Sequence, residues 1–149
     1  MSADMALELK DKNVTVVSLW PGVVKTELAN KYMAEKTIKA TKHQDVPEEV
    51  QEKMFEKGES TEYPGIAIVA LASDPNVIKL TGRCLTTADL GDKYGFTDID
   101  GRMIVSMRSL KFVLSAGVVK IPFAETIAAW IPRFIKIPGW LIAATISRL

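Results

Sequence analysis

Residues Val14–Thr26 have the sequence VTVVSLWPGVVKT. Val14–Leu19 is rich in β-branched residues and almost continuously apolar, a pattern typical of a strand buried on both faces in a parallel sheet. The apolar spacing of Met1–Lys10 predicts a helix before it, with no residue suited to cap its start. Helix, short turn and apolar strand form half of a βαβ unit, so the sequence predicts an α/β fold with a parallel sheet.

The chain after this stretch alternates predicted helices with one more short strand. Thr26 is a suitable N-cap for the next helix, and Pro64 falls in the first turn of a later one, where a missing N–H matters least. The predicted elements are a helix over Thr26–Lys39, a short helix over about Pro47–Lys57 within a polar surface segment Thr41–Glu59, a helix from Ser60 or Thr61 to about Ala72, a strand over Arg83–Thr87 and a turn-rich segment Gly91–Gly101.

The composition fits one globular domain and excludes several classes of protein. Of 149 residues, 48% are hydrophobic and 25% are charged, which argues against disorder. The formal net charge of +1 gives no bulk attraction to nucleic acid. Cys84 and His43 are the single residues of their types, so no disulfide within the chain and no Cys/His metal site is expected. We expect Cys84 to be a small core residue, His43 a surface residue, and the compartment reducing and intracellular.

The loop Pro21–Thr26 is the candidate binding site. Ligands of open parallel sheets bind at the carboxyl ends of the strands. Gly22 allows close approach of a flat ligand, and the peptide groups of Val23 and Val24 can hydrogen-bond an amide. The Thr26 hydroxyl and the first N–H groups of its helix suit a phosphate. These features match the nicotinamide end of a dinucleotide, although Pro-Gly-x-x-x-Thr by itself also fits a plain turn followed by an N-cap.

Three segments follow one another in a familiar order. They are VTVVSLWPGVVKTEL at 14–28, TEYPGIAIVALASDP at 61–75 and LTGRCLTTADL at 80–90. Together they resemble the C-terminal half of the short-chain dehydrogenases/reductases, and the resemblance covers essentially the whole chain. It implies the C-terminal portion of a Rossmann-type doubly wound parallel sheet.

The same resemblance implies a function and a cofactor. A full-length relative would be a carbonyl reductase or alcohol dehydrogenase that uses NADP or NAD, with NADP preferred, and acts on steroid or xenobiotic carbonyls. The residues implied to contact the nicotinamide-ribose-phosphate end are Pro21, Gly22, Val23, Val24 and Thr26. The segment from Glu27 to about Ser60 would cover the substrate.

Other motifs of this family have no counterpart in the sequence. The Gly-rich dinucleotide fingerprint, the catalytic Ser and the catalytic Tyr-x-x-x-Lys pair are missing, so no catalytic residue is predicted. Tyr32 and Lys36 have the Tyr-x-x-x-Lys spacing, but they follow the Pro-Gly loop, and we expect an exposed i,i+4 pair. We therefore predict a fragment that is inactive, and marginally stable or unfolded, when it is alone.

Residues 109–149 differ in character from residues 1–108, which predicts a division there into a partial oxidoreductase domain and an apolar, basic helical extension. Helical spacing occurs over Met107–Leu114 and Phe123–Phe134, and a third short helix is predicted over Gly139–Ala144. The longest uncharged run, Ile137–Ser147, is shorter than the roughly 20 residues of a membrane span. Five basic residues and one acidic residue occur in this tail.

Basic and aromatic residues in short helices favour contact with a membrane surface. A dimerisation or core-capping role for residues 109–149 stays open, and so does a homo-oligomer. The resemblance implies association with the endoplasmic reticulum membrane. An alternative to the enzyme fragment is a non-catalytic fragment that associates with membranes or binds a partner protein.

Overall fold

The computed structural model describes residues 1–34, 48–106, 108–115, 123–132 and 135–138. Its helices and strands are α1 (Ser2–Glu8), β1 (Ser18–Trp20), α2 (Glu27–Ala34), α3 (Glu48–Glu56), α4 (Tyr63–Ala72), β2 (Cys84–Thr86), α5 (Thr87–Tyr94), α6 (Leu110–Ser115) and α7 (Ala124–Trp130). Short 3₁₀ turns occupy Lys10–Lys12 and Val77–Leu80.

The chain divides into two units. The first consists of Met1–Asn30 and Gly58–Ile104, and the second of Lys31–Lys57 and Val105–Leu149. The division into 1–108 and 109–149 stays a prediction.

The sheet of the first unit is the parallel pair β1–β2. Its register pairs Ser18 with Cys84, Leu19 with Leu85 and Trp20 with Thr86. The predicted α/β class with a parallel sheet is thereby confirmed, and the wider doubly wound arrangement stays a prediction.

β1 is shorter and less buried than the sequence predicts. Upstream of it, Val16 makes irregular contacts rather than a ladder: its N–H donates to Thr81 Oγ1 at 3.0 Å and its carbonyl accepts from the Gly82 N–H at 2.7 Å. Val14 is exposed, and 61% of Trp20 is exposed. The burial on both faces that the pattern indicates for a strand inside a complete sheet is not found here, where, among the described residues, β1 pairs with one strand.

The core of the first unit lies where α4 and α5 meet the strands. One cluster joins Ala67 and Leu71 of α4 to Leu90 of α5, with half-buried Leu19 and Leu85 packed against it from the sheet. A second cluster contains Tyr63, Ala88 and Ile104, and the ring of Phe96 lies 5.1 Å from the ring of Tyr63. Burial of these apolar side chains is the main stabilising contribution to this unit.

Helix α5 is the element that the sequence analysis missed, because Gly91–Gly101 was assigned to turns. Its N-cap is Thr86, whose hydroxyl accepts the Asp89 N–H at 3.2 Å. Gly95 ends it in the left-handed conformation, with φ of 74°. The Thr-x-x-Asp spacing that opens the helix was a usable signal.

Three start signals predicted for the helices are confirmed. The Thr26 hydroxyl accepts the Ala29 N–H at 3.1 Å at the start of α2. The Ser60 hydroxyl accepts the Tyr63 N–H at 3.2 Å, and Pro64 lies in the first turn of α4. No side chain caps α1, also as predicted.

Cys84 is exposed at the beginning of β2, so the prediction of a core cysteine is wrong. Its neighbour Leu85 packs against the core instead, because successive side chains of a strand point to opposite faces. His43 lies outside the described residues.

The second unit is built on α3, α6 and α7. An antiparallel bridge joins Ser109 to Lys136, with the Leu110 N–H donating to the Ile135 carbonyl at 3.0 Å and the Ile137 N–H to the Arg108 carbonyl at 2.7 Å. Short helices occur at Leu110–Ser115 and Ala124–Trp130, within the two stretches of helical spacing, and the apolar helical extension as a whole stays a prediction. The helix predicted over Gly139–Ala144 lies outside the described residues. Within the described ranges, no helix is long and apolar enough to cross a membrane.

We expect Gly91→Ala to lower the free energy of unfolding by about 1–3 kcal/mol, because a Cβ at Gly91 would overlap the Tyr63 hydroxyl and lie 3.3 Å from its Cζ. Gly65→Ala in α4 is the matched control. A Cβ at Gly65 meets nothing within 4 Å, so this change should stabilise by about 0.5–1 kcal/mol. Urea unfolding measures both changes, and equal effects of the two substitutions would contradict this packing.

Asp74 gives the first unit an acid-sensitive contact. The Tyr94 hydroxyl donates to Asp74 Oδ2 at 2.6 Å, the Asn76 N–H donates to Oδ1 at 2.8 Å, and Lys93 Nζ lies 3.2 Å from Oδ2. These contacts, that of Tyr94 foremost, lower the pKa of Asp74 to about 2. A lowered pKa stabilises the fold above the ordinary value of 3.8, and this stabilisation is lost as the pH falls from 3.8 towards 2.

Between pH 4 and pH 2, the thermal midpoint should therefore fall more steeply for the unmodified chain than for Asp74→Asn. Tyr94→Phe should shift the fall to higher pH, because the strongest of the three contacts is removed. Scanning calorimetry across this range measures the difference. Parallel curves for the unmodified chain and Asp74→Asn would refute the contribution of Asp74.

Candidate functional site

The predicted binding loop, Pro21–Thr26, begins directly after β1. Because β1 and β2 run parallel, their carboxyl ends lie at one edge of the sheet, and Thr87 opens α5 at that same edge. Pro21 and Gly22 are exposed, Val23 and Val24 are half-buried, and Thr26 is exposed at the start of α2. The loop thus lies where an open parallel sheet binds ligands.

The carbonyl groups of Val23 and Val24 are already bonded within the protein. The Glu59 N–H donates to the Val23 carbonyl at 2.8 Å, and the Thr26 N–H donates to the Val24 carbonyl at 2.9 Å. The Lys25 N–H donates to the Glu59 carbonyl at 2.9 Å, which completes a parallel bridge between Val24 and Glu59. Whole peptide groups of Val23 and Val24 were expected to be free. Their carbonyl groups are in fact bonded, and their N–H groups have no partner among the described residues.

Glu59 is the buried side chain beneath this loop. It is 1% exposed. Its Oε1 accepts the Gly22 N–H at 2.9 Å, and its Oε2 accepts the Thr87 hydroxyl at 2.7 Å. One carboxyl group therefore joins the loop after β1 to the first residue after β2.

A second buried carboxyl group, that of Asp98, holds the segment next to Glu59. It accepts the Ser60 N–H at 2.9 Å and the Ile99 N–H at 2.8 Å, and it also accepts the Ser60 hydroxyl. Asp98 is 3% exposed. These bonds fix Ser60, and with it the backbone on the carboxyl side of Glu59.

Burial is the main cause of the raised pKa of Glu59. The carboxylate loses hydration, and the negative charge of Asp98 adds a smaller contribution in the same direction. The hydrogen bonds from Thr87 and from the Gly22 N–H oppose the rise. Because Glu59 holds the loop, the N–H groups of Val23 and Val24 have fixed positions, and donors in fixed positions suit the binding of a ligand.

Sequence reasoning missed Glu59, Thr87 and Asp98. Glu59 was placed in a polar surface segment, and Asp98 in turns. No local signal marked Glu59, because its side-chain partners Gly22 and Thr87 are distant in the sequence. Trp20, the last residue before the loop, is largely exposed. Tyr32 is partly exposed on α2, while its predicted partner Lys36 lies outside the described residues.

Comparison with known proteins gives two close matches, both named Dehydrogenase/reductase SDR family member 1. The human protein is 38% identical over 148 residues, which cover 99% of this chain and 45% of the relative. The mouse protein is 37% identical over 146 residues, which cover 95% and 43% respectively. This chain is related to the short-chain dehydrogenases/reductases.

The resemblance expected from the three segments is thereby confirmed. The chain spans less than half the length of these short-chain dehydrogenase/reductase relatives, which is consistent with the predicted placement in their C-terminal half. No family model matches the chain. The binding roles of Pro21, Gly22, Val23, Val24 and Thr26 stay predictions.

Proposed function

We propose that this chain forms the nicotinamide side of an NAD(P)(H) site in a short-chain oxidoreductase. The observation that carries the proposal is the loop Pro21–Thr26, which lies at the carboxyl end of a parallel strand with two N–H groups unused among the described residues. Such donors suit the carboxamide of a nicotinamide ring. The similarity to short-chain dehydrogenase/reductase relatives supports the same assignment.

Gly22 and Thr26 fit the two ends of such a ligand. Gly22 is exposed, and a Cβ there would meet only the Glu59 carboxyl group, at 3.9 Å, so the backbone is open to a flat ring. The Thr26 hydroxyl oxygen accepts the Ala29 N–H, which leaves its O–H to donate to a phosphate oxygen. The adjoining N-terminus of α2 favours negative charge.

The reaction proposed for the full oxidoreductase interconverts a carbonyl and an alcohol. The cofactor would supply the hydride, and this chain would bind and orient it. NADP is preferred to NAD, and steroid or xenobiotic carbonyls are the proposed substrates, both by resemblance. The proton that carbonyl reduction requires is not assigned to a residue of this chain, so a binding role is what we propose for the chain itself.

Nicotinamide mononucleotide tests this proposal because it contains only the ring, ribose and phosphate assigned to the loop. Titrated into the labelled full chain at pH 7.5, it should shift the amide resonances of Val23, Val24 and Thr26. Adenosine monophosphate carries the phosphate but lacks the carboxamide, so it should leave Val23 and Val24 unshifted even where its phosphate shifts Thr26. Equal shifts of Val23 and Val24 with both nucleotides, or shifts confined to other residues, would disprove a nicotinamide site.

Two substitutions at Thr26 separate ligand binding from helix capping. Thr26→Ser keeps the hydroxyl and should bind the mononucleotide within about threefold of the unmodified chain. Thr26→Asp still caps α2 but places a carboxylate beside the phosphate, so it should keep the thermal midpoint and lose binding about tenfold or more. Unchanged binding by Thr26→Asp would remove Thr26 from the site.

We also propose that the second unit contacts a membrane surface through α7. Phe123, Ile127 and Trp130 recur at helical spacing and are 80%, 46% and 87% exposed. Basic residues outnumber acidic ones in 109–149, which suits anionic headgroups. Location at the endoplasmic reticulum is proposed from the resemblance, and pairing with a second copy through this helix is the competing possibility.

Vesicle sedimentation distinguishes membrane contact through α7 from pairing of two copies through this helix. The chain should sediment with vesicles containing phosphatidylserine, and Ile127→Ser with Trp130→Ser should reduce binding at least fivefold. The control is Ile68→Ser with Val69→Ser, which changes an equally exposed apolar pair on α4. A dimer in analytical ultracentrifugation that the α7 changes abolish, without vesicle binding, would favour the oligomer instead.

A further inference from the structure

Glu59 contacts the Pro21–Thr26 loop on both sides of its unused donors. Its side chain accepts the Gly22 N–H, which precedes them, and its backbone carbonyl accepts the Lys25 N–H, which follows them. Its own N–H donates to the Val23 carbonyl. One residue thus fixes the loop at three points while the N–H groups of Val23 and Val24 are left for another acceptor.

We propose that Glu59 is a positioning residue, whose ionised side chain holds this loop against α5 so that the Val23 and Val24 N–H groups are presented in one arrangement. The inference rests on the proposed nicotinamide site and adds the residue that organises it. Glu59 acts through the loop and through Thr87, and it need not touch the ligand.

Ionisation matters to this role because a carboxylate accepts stronger hydrogen bonds than a neutral carboxyl group or amide does. The Gly22 N–H, next to the proposed ring site, is one of the two donors whose bond to Glu59 would weaken on protonation. Thr87 donates to the other oxygen and orients the group. The charged group that faces Glu59 is Asp98, on the segment after α5.

The burial of this charge works against the stability of the fold. A raised carboxyl pKa means that the folded chain binds the proton more tightly than the unfolded chain does. The free energy of unfolding therefore falls as the pH rises from 4.5 through the pKa of folded Glu59. An ionised Glu59 costs stability at neutral pH while it strengthens the loop, a combination typical of a functional carboxylate.

The first experiment needs no ligand. In the full chain, the Gly22 amide proton and the Glu59 carboxyl carbon should titrate together by NMR, with a midpoint above 4.5. Glu59→Gln should abolish the Gly22 transition. Thr87→Val should move its midpoint to higher pH, because the bond that lowers the pKa of Glu59 is lost. Glu62→Gln, which neutralises an exposed carboxylate three residues away, should leave the transition unchanged.

The second experiment measures nicotinamide mononucleotide binding and thermal midpoints at pH 7.5. Glu59→Gln should weaken binding about tenfold, the difference between a charged and a neutral acceptor, and yet raise the midpoint. Glu62→Gln should not weaken binding. A merely structural Glu59 would instead lower the midpoint when it is replaced.

The outcomes separate the two proposals. Equal binding by the unmodified chain and Glu59→Gln would overturn the positioning role and leave the nicotinamide site standing. A Gly22 amide that does not follow Glu59 would overturn the positioning role as well. Failure of the unmodified chain to bind the mononucleotide, together with a Gly22 transition that Glu59→Gln abolishes, would overturn the proposed function and support Glu59 as the residue that holds the loop.

Discussion

The parallel pairing of β1 with β2 is the constraint on which the first unit depends. Both strands are followed at once by the segments of interest, since Pro21 succeeds Trp20 and Thr87 succeeds Thr86 without an intervening turn. Parallel strands end at the same edge of a sheet, so the loop and the start of α5 must lie side by side. A single carboxyl group is then long enough to bond both.

Two carboxylates of the first unit have pKa values shifted in opposite directions, because hydrogen bonds dominate at Asp74 and loss of hydration dominates at Glu59. Asp74 keeps contact with water and accepts bonds from Tyr94, Asn76 and Lys93, so its pKa falls and its charge stabilises the fold. Glu59 is buried beside Asp98, and the loss of hydration outweighs its two hydrogen bonds. Asp74 therefore supports the packing of the fold, whereas the benefit from the charge on Glu59 must be sought elsewhere, in the order of the loop.

The successful sequence predictions depended on signals from residues that are close together in the sequence. The apolar run, the Thr26 cap and the position of Pro64 each depend on neighbours within a few residues. The structure has helix starts at the latter two places and a strand that begins only at the end of the run. Glu59 could not be found this way, because the residues that bond its side chain, Gly22 and Thr87, are 37 and 28 positions away in the sequence. β1 is shorter than the apolar run because Val16 bonds to Thr81 and Gly82 outside the strand pairing.

Gly91 shows how a long-range contact can reverse a local signal. A glycine followed by polar residues favours a turn, yet this one lies inside α5, where the Tyr63 side chain leaves no room for a Cβ. The same tyrosine starts α4, and its N–H donates to the Ser60 hydroxyl, so the packing that selects Gly91 also fixes the chain beside Glu59. Core packing and loop position are therefore coupled through α4. The contacts identified around the loop come from residues of the first unit. The geometry of the proposed nicotinamide side therefore depends on packing within that unit.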